Sequence, residues 1–472
     1  MQSTASTQGG QPIQEEKVPL LSRIAVTAAD GGVGIIMGII SATLSYYFTT
    51  NRGLSLTNAG IVWILFGIWN AVNDPIYGYI TDRTKSKLGR RIPYVRYGAP
   101  LITISYIACW INWPVTDSQT ILFIHFLIAL FFYDTFYTAV ASALYVLPFE
   151  MAVSNKARGS IFIWKVLFSV IGMAFPLVVL GFRPGANDDT TPFVTFQIIL
   201  AVIVGLIVFA SSYIVKENHY TQEEEQPPFF KALFSSFKNK SFLIFEVLSF
   251  TVIYVQSALF MGLGYYMEEV TNVNVIPLIV AMLISTIGTL IILVTRHETW
   301  GVKKLMQGCL LGISVGAITL SFLGKNQIFA TIAFFLIGLG VAAGFYLIQI
   351  QFGDVIDYDE IQTGLRREGV YAGVNSLVTK PAFSFANSIF LWVIAYYGYD
   401  TTLDKGLQTG SAETGILLGW MLVPGILLFI SFLIMFLYPL AGPKWKEQKE
   451  KLSKIHHEKE KEYLAKLGYK SE

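Results

Sequence analysis

The sequence predicts an all-α membrane protein, with twelve transmembrane helices in two six-helix halves. Three observations carry that prediction. Of 472 residues, 53% are hydrophobic and only 14% are charged, whereas soluble domains carry roughly 25% charged residues. Twelve apolar segments recur along the chain, with polar stretches between them. Lysine and arginine gather on alternate loops, sixteen on one side against four on the other. By the positive-inside rule the richer side is cytoplasmic, and an even number of spans puts both termini there.

The segments run near 24–49, 56–81, 94–113, 118–150, 160–181, 191–215, 241–266, 273–295, 302–323, 327–353, 369–398 and 412–439. About 20 apolar residues span a bilayer as a helix, and longer runs tilt or protrude. The bilayer core has no water to bond to, so backbone groups must pair within each segment, and helices are expected. A barrel would need alternating segments of roughly 10 residues, which the chain lacks. Residues 1–23 form a polar tail without the regions of a signal peptide. The N-terminal half is 24–215 and the C-terminal half 241–440. Between them, 216–240 is the longest polar interruption. Pro227-Pro228 stops any helix there, and Phe229 to Phe234 can lie on the membrane surface. The tail 441–472 is rich in Lys and Glu, with Trp445, Leu452, Ile455 and Leu464 at amphipathic positions. A solvated or surface-lying helix is expected for it. Two six-helix halves with a cytoplasmic linker resemble the major facilitator architecture, in which substrate sits between the halves near the midplane.

Several functions are excluded. Cys109 and Cys309 lie in apolar segments and imply no disulfide framework. There is no phosphate-binding loop, so no ATP-driven pump is indicated. No His/Cys metal spacing appears, and no soluble catalytic domain fits in the loops. The expectation is a chain that is not an enzyme and has no cofactor. Its partners would be the bilayer and a small solute, with no nucleic acid, and it would be a monomer in the inner or plasma membrane.

Ionisable residues inside apolar segments come next. A charge near the bilayer centre costs about 2.5–3.5 kcal/mol on the insertion scale, so it usually faces a cavity or pathway. Asp74 stands between Asn73 and Pro75 in helix 2. The proline leaves a carbonyl one turn back without its usual donor, which suits a cation or a water. Lys380 precedes Pro381 in helix 11. The two can pair and then separate when a cation or proton binds, which makes a switch; a permanent structural pair is the other reading. Lys165 in helix 5 can meet substrate or snorkel to the interface. Asp134 in helix 4 and Asp30 in helix 1 also need partners. Trp69, Trp164 and Tyr371 can stack on a sugar ring or simply pack. His125 and Glu246 read as interfacial or hydrogen-bonded residues. At the cytoplasmic end of helix 10, Asp354 and Asp357 are three apart and share a face. Asp359 and Glu360 extend that patch. Arg83, Arg90 and Arg158 of the other half are the natural partners, and a gate needs several such pairs because exposed ones are weak singly.

Two motifs carry a family resemblance. Trp69-Asn70-Ala71-Val72-Asn73-Asp74-Pro75-Ile76-Tyr77-Gly78, followed by Asp82-Arg83 and Gly89-Arg90-Arg91, resembles the glycoside–pentoside–hexuronide cation symporters. So does Gly353-Asp354-Val355-Ile356-Asp357-Tyr358, followed by Arg366-Arg367-Glu368-Gly369 and then Lys380. The resemblance covers roughly 24–440 and implies secondary transport by alternating access. It implies that Asp74 is a cation-site carboxylate, with Asn70 and Asn73 beside it. It places Lys380 between the cation and substrate sites, and Lys165 where the family has a sugar-site arginine. It assigns the cytoplasmic gate to Asp82, Arg83, Asp354, Asp357, Glu360 and Arg366.

The chain also departs from that pattern. Asn70 stands where the family has a second carboxylate, and Gly34 and Val140 stand where it has sugar-binding aspartates. An amide can ligate sodium but cannot take a proton, and one carboxylate is enough for proton coupling. The coupling ion is therefore expected to be H+ rather than Na+. Two lysines facing too few carboxylates favour an anionic solute over a neutral galactoside. Asp30 and Asp134 are the candidates to replace the missing carboxylates. The expected function is cation-coupled symport of a sugar, glycoside or uronide. A lysophospholipid transporter of the same fold is the alternative, and a receptor or scaffold without flux is the second alternative.

Overall fold

The computed structural model describes residues 18–113, 118–151, 155–216, 238–270, 273–364 and 368–452. The N-terminal half holds α1 (Leu20–Leu44), α2 (Leu56–Arg83), α3 (Ile92–Ala108), α4 (Gln119–Met151), α5 (Asn155–Leu180) and α6 (Thr191–Ile214). The C-terminal half holds α7 (Lys240–Glu269), α8 (Val275–Trp300), α9 (Val302–Leu323), α10 (Gln327–Thr363), α11 (Glu368–Tyr396) and α12 (Gly410–Leu437). A short helix, α13, covers 443–452. Among the described residues there is no strand. Eleven of these helices are long and apolar enough to cross a membrane. The twelfth, α3, has 17 residues and is about 25 Å long at the helical rise, the lower limit for a span. Segment 229–234 of the linker lies outside the described residues.

Helix starts follow their capping residues. The side-chain oxygens of Ser55, Asn239, Asn274, Asn326 and Thr409 accept backbone N–H groups at the first turns of α2, α7, α8, α10 and α12. Helix α10 runs nearly three turns past its apolar segment, to Thr363, and carries Asp354 to Glu360 with it. It ends where Gly364 turns left-handed at φ 71°.

Within the halves, α1 packs on α5 and α6, and α3 packs on α4 and α6. In the second half α10 packs on α8 and α9, and α7 packs on α11. The halves meet most closely along α2 and α11. A Cβ on Gly60 would lie 2.2 Å from Trp392 Nε1, and one on Gly67 would lie 2.7 Å from Ser384 Cβ. Ser388 Oγ donates to the Gly60 carbonyl at 2.8 Å. Small residues let such helices approach within van der Waals contact, and that contact drives association in lipid. Gly60→Val is expected to lower stability by about 1–3 kcal/mol, as overpacking does. Thermal melting in detergent checks this, and an unchanged melting temperature would contradict so tight a seam.

The face opposite the termini is closed by a network across the halves. Arg183, just past α5, is 2% exposed. Its Nη2 lies 2.5 Å from Glu268 Oε2 of α7. Its guanidinium carbon sits 3.3 Å from the ring centre of Tyr46 and 5.2 Å from that of Tyr265, so a cation–π contact reaches each half. Burial works against the Arg183 charge, but the Glu268 carboxylate, together with Tyr46 and Tyr265, outweighs it and holds the guanidinium above its usual range. Lys405 Nζ adds a second bond to Glu268, at 3.0 Å. Asn187 Nδ2 donates to Asp404 Oδ1 at 2.9 Å. Glu269 accepts from Tyr399 Oη at 3.1 Å and from the Gly406 N–H at 2.9 Å.

Candidate functional site

Helix geometry assembles the site. Asn70, Asn73 and Asp74 share a face of α2 by their spacing, and Asp134 and Thr138 share one of α4. Asp74 Oδ1 accepts from Thr138 Oγ1 at 3.2 Å. Asp74 Oδ2 lies 3.2 Å from Lys380 Nζ on α11, so the expected pair forms and bridges the halves. Asn73 Nδ2 donates to Asp134 Oδ2 at 2.9 Å and to its carbonyl at 3.2 Å. Asp134 is 1% exposed, and it feels the charges of both Lys380 and Asp74. The Oδ1 of Asn70 is buried and has no hydrogen-bond partner among the described residues.

A second pair stands beside the first. Lys165 Nζ of α5 lies 3.3 Å from Asp30 Oδ2 of α1 and 4.9 Å from the centre of the Tyr145 ring. Tyr137 of α4 is within electrostatic reach of Asp30, Asp74 and Asp134. The side chains of Asp74 and Lys380 remain 21% and 25% accessible.

Each lysine therefore already has a carboxylate, and Asp134 makes three carboxylates against two ammonium groups. The expected excess of positive charge is corrected to a formal excess of one negative charge, because Asp30 and Asp134 turn into the site. The Gly34 position is exposed, with open space where a Cβ would be. Val140 is fully buried against Gly98 of α3, so that position faces the interior of its own half.

The aromatic candidates separate. Trp69 is half-buried and stacks on Phe131, with centroids 5.2 Å apart at 12°. Trp164 is half-buried. Tyr371 is fully buried edge-on to Phe242 at 4.6 Å, and Asn239 Nδ2 donates to its hydroxyl at 3.3 Å. The reading of Tyr371 as a sugar platform is corrected, since its ring is enclosed within the C-terminal half. Glu246 is buried and accepts from Asn375 Nδ2 at 3.3 Å. His125 is buried and stacks on Trp113 at 4.5 Å.

The cytoplasmic acids also need a correction. Asp354 pairs with Lys449 of α13, where a partner from the other half was expected. Trp445 packs edge-on to Tyr358 at 6.2 Å. One turn of α13 separates Trp445 from Lys449, so both reach the end of α10 and the tail docks there. Asp357 is half-buried, Asp359 and Glu360 are buried, Arg83 is exposed and Arg90 is buried. Arg366 and the side chains of Asp82 and Arg158 lie outside the described residues. The seal around Arg183 went unread in the sequence. Its one signal there was the acidic pair Glu268-Glu269 at the outer end of α7.

Similarity to known proteins follows the same outline. The uncharacterized symporter YnaJ of Bacillus subtilis is 25% identical over 448 residues, covering 93% of this chain and 95% of its own. The glucuronide carrier protein homolog of Escherichia coli is 21% identical over 415 residues, covering 86% of this chain and 89% of its own. The xylose transporter XylE from E. coli, solved in an inward-open conformation, shares the fold at a TM-score of 0.57 and 15% identity, over 85% of this chain and 94% of that one. The sequence profile described as MFS/sugar transport protein matches residues 26–442. The chain belongs to that family, within its glycoside–pentoside–hexuronide-like branch, and is a membrane transporter and not an enzyme.

Proposed function

We propose proton-coupled symport of a sugar-like solute, a glycoside or uronide, by alternating access. The Lys380–Asp74 pair carries the reading, because it joins α11 of one half to α2 of the other while both side chains stay partly accessible. With Asp74 ionised, Lys380 is held by it. A proton on Asp74 removes that attraction and leaves the ammonium group to meet a hydroxyl or carboxylate of the solute. Substrate binding and protonation then favour the same state, and that state is the one that reorients. Lys165 with Asp30 is a second place where a solute can exchange for a carboxylate. The kinship with a glucuronide carrier homolog supports a uronide among the candidates.

Sodium is the second reading, and one observation favours it. The unpartnered Asn70 oxygen lies on the same helix face as Asp74, and Asp134 supplies the second carboxylate that a sodium ion would want. Uptake of labelled glucuronides and pentosides into proteoliposomes decides between the ions. Acid outside should drive accumulation above equilibrium, and a protonophore should collapse it. Accumulation driven only by a sodium gradient would move the reading to sodium. Uptake indifferent to both gradients would remove the coupling.

A further inference from the structure

Glu246 is a buried carboxylate with no part in the Lys380–Asp74 coupling. It sits in the second turn of α7, about 9 Å from the start of that helix at the helical rise, and is 5% exposed. Asn375 of α11 faces it and donates through Nδ2, at 3.3 Å to Oε1 and 3.4 Å to Oε2. Those bonds are long. The same nitrogen makes its short bond, 2.7 Å, to Ser249 Oγ. Among the described residues no charged group acts on Glu246. The packing beside it is aromatic. Phe242 meets Tyr371 of α11 edge-on at 4.6 Å, and Phe245 meets Phe352 of α10 at 5.3 Å. The titratable side chain in that packing is Tyr371. An ionised carboxylate in such a setting is costly, because one stretched amide contact does not replace its water. A carboxylic acid is tolerated there. The Asn375 amide suits both forms, since it can donate to the carboxylate or turn and accept from the acid. Asp30 and Asp74 differ, each holding an ammonium group within 3.3 Å.

Position supplies a role. Asn375 and Lys380 stand on one helix, and Asn375 is about 7.5 Å nearer the start of α11, which lies on the face of the termini. Thr379, next to Lys380, donates to the Asn375 carbonyl at 2.8 Å. Helix α11 therefore carries two contacts at different depths. The Lys380–Asp74 pair lies on its seam with α2, and the Asn375–Glu246 contact joins it to α7, closer to the termini. A proton that leaves Asp74 toward that face passes the level of Glu246. Asn375 is half-buried, so it stands at the edge of this contact while Glu246 lies behind it. An ionisable residue kept inside a membrane helix is commonly part of such a pathway.

We propose that Glu246 is a proton-binding residue of the transport cycle, through which the coupled proton leaves on the face of the termini. When the halves part on that face, water reaches α11. The O–H bond of the Glu246 acid breaks, its electron pair stays on the carboxylate and the proton goes to water. The carboxylate then regains a proton from Asp74 through that water, and the ionised Asp74 recovers Lys380. The net step is the loss of one proton from Asp74. The release role rests on the proton-coupled reading of the Lys380–Asp74 pair; the protonation of Glu246 does not.

Infrared spectra of the full chain in lipid nanodiscs, wild type against Glu246→Gln from neutral to alkaline pH, read the protonation directly. A carboxylic-acid C=O band should be present at neutral pH, fade as the pH rises and be missing in E246Q. The absence of that band from the wild type at neutral pH overturns the proposal, and this arm needs no solute. Transport in proteoliposomes reads the role, with labelled methyl β-glucuronide and methyl β-xyloside as probes. Solute-for-solute exchange returns the carrier loaded and needs no proton release. E246Q should therefore exchange within twofold of wild type and lose tenfold or more of its gradient-driven uptake, and Glu246→Asp should restore that uptake. A loss that falls equally on exchange and uptake overturns the proposal and leaves Glu246 a packing group. Uptake by E246Q at the wild-type rate overturns it too. Wild-type uptake indifferent to the proton gradient retires the coupled reading itself, and the release role with it.

Discussion

Lys380→Ala is expected to abolish concentrative uptake and leave a folded protein. Among the described residues, the ammonium group is the one ligand that Asp74 has from the other half. Without it, binding a proton at Asp74 frees nothing for the solute, and the two events lose their coupling. The accumulation ratio in proteoliposomes should fall to equilibrium, while downhill flux persists at a reduced rate. Folding survives because a carboxylate deprived of its partner can take up a proton instead of staying charged. Both groups also remain partly accessible, so the pair contributes less to stability than a fully buried one would. Retained accumulation at the wild-type ratio would remove Lys380 from the coupling step.

Arg183→Ala should open the sealed face. Removing one member of a buried ion pair costs up to about 3–5 kcal/mol when the charge left behind has no partner; Lys405, 3.0 Å from Glu268, remains to offset part of that cost. That cost falls on the sealed state alone, since parting the halves returns Glu268 to water. The equilibrium therefore moves toward the outward-open state. Spin labels at Asp189→Cys and Thr402→Cys, exposed positions on the outer loops of the two halves, report it by electron–electron distance. The distribution should shift to longer distances in the Arg183 variant. An unchanged distribution would mean that the α2–α11 seam alone keeps that face shut.

The twelve helices were legible because span length is set by bilayer thickness and appears directly as apolar run length. The Asp74–Lys380 pair was legible for a related reason: two opposite charges isolated in apolar segments must find each other or face water. What failed depended on azimuth. Val140 and Tyr371 lie at the depths expected of site residues, but their helices turn them into their own halves. Asp30 and Asp134 were readable as costly charges, but not as neighbours of Lys165 and Asn73. Lys449 comes from a tail whose docking depends on a surface that exists only once α10 has folded. Arg183 looked like an ordinary loop charge, because a loop's burial is decided by the opposite half.

The uneven charge of the site has an electrical consequence. With three carboxylates and two ammonium groups, the empty carrier would hold one formal negative charge in its centre when all five groups are ionised. A bound proton or sodium ion cancels it. Displacing a full charge through the membrane field is worth roughly 2.3 kcal/mol per 100 mV. Under the proposed coupling, in a cell that is negative inside, the loaded carrier with a neutral solute would cross without feeling the voltage, while the empty one would be driven back outward. The membrane potential would act on the return stroke, speeding turnover by resetting the carrier instead of pulling cargo in.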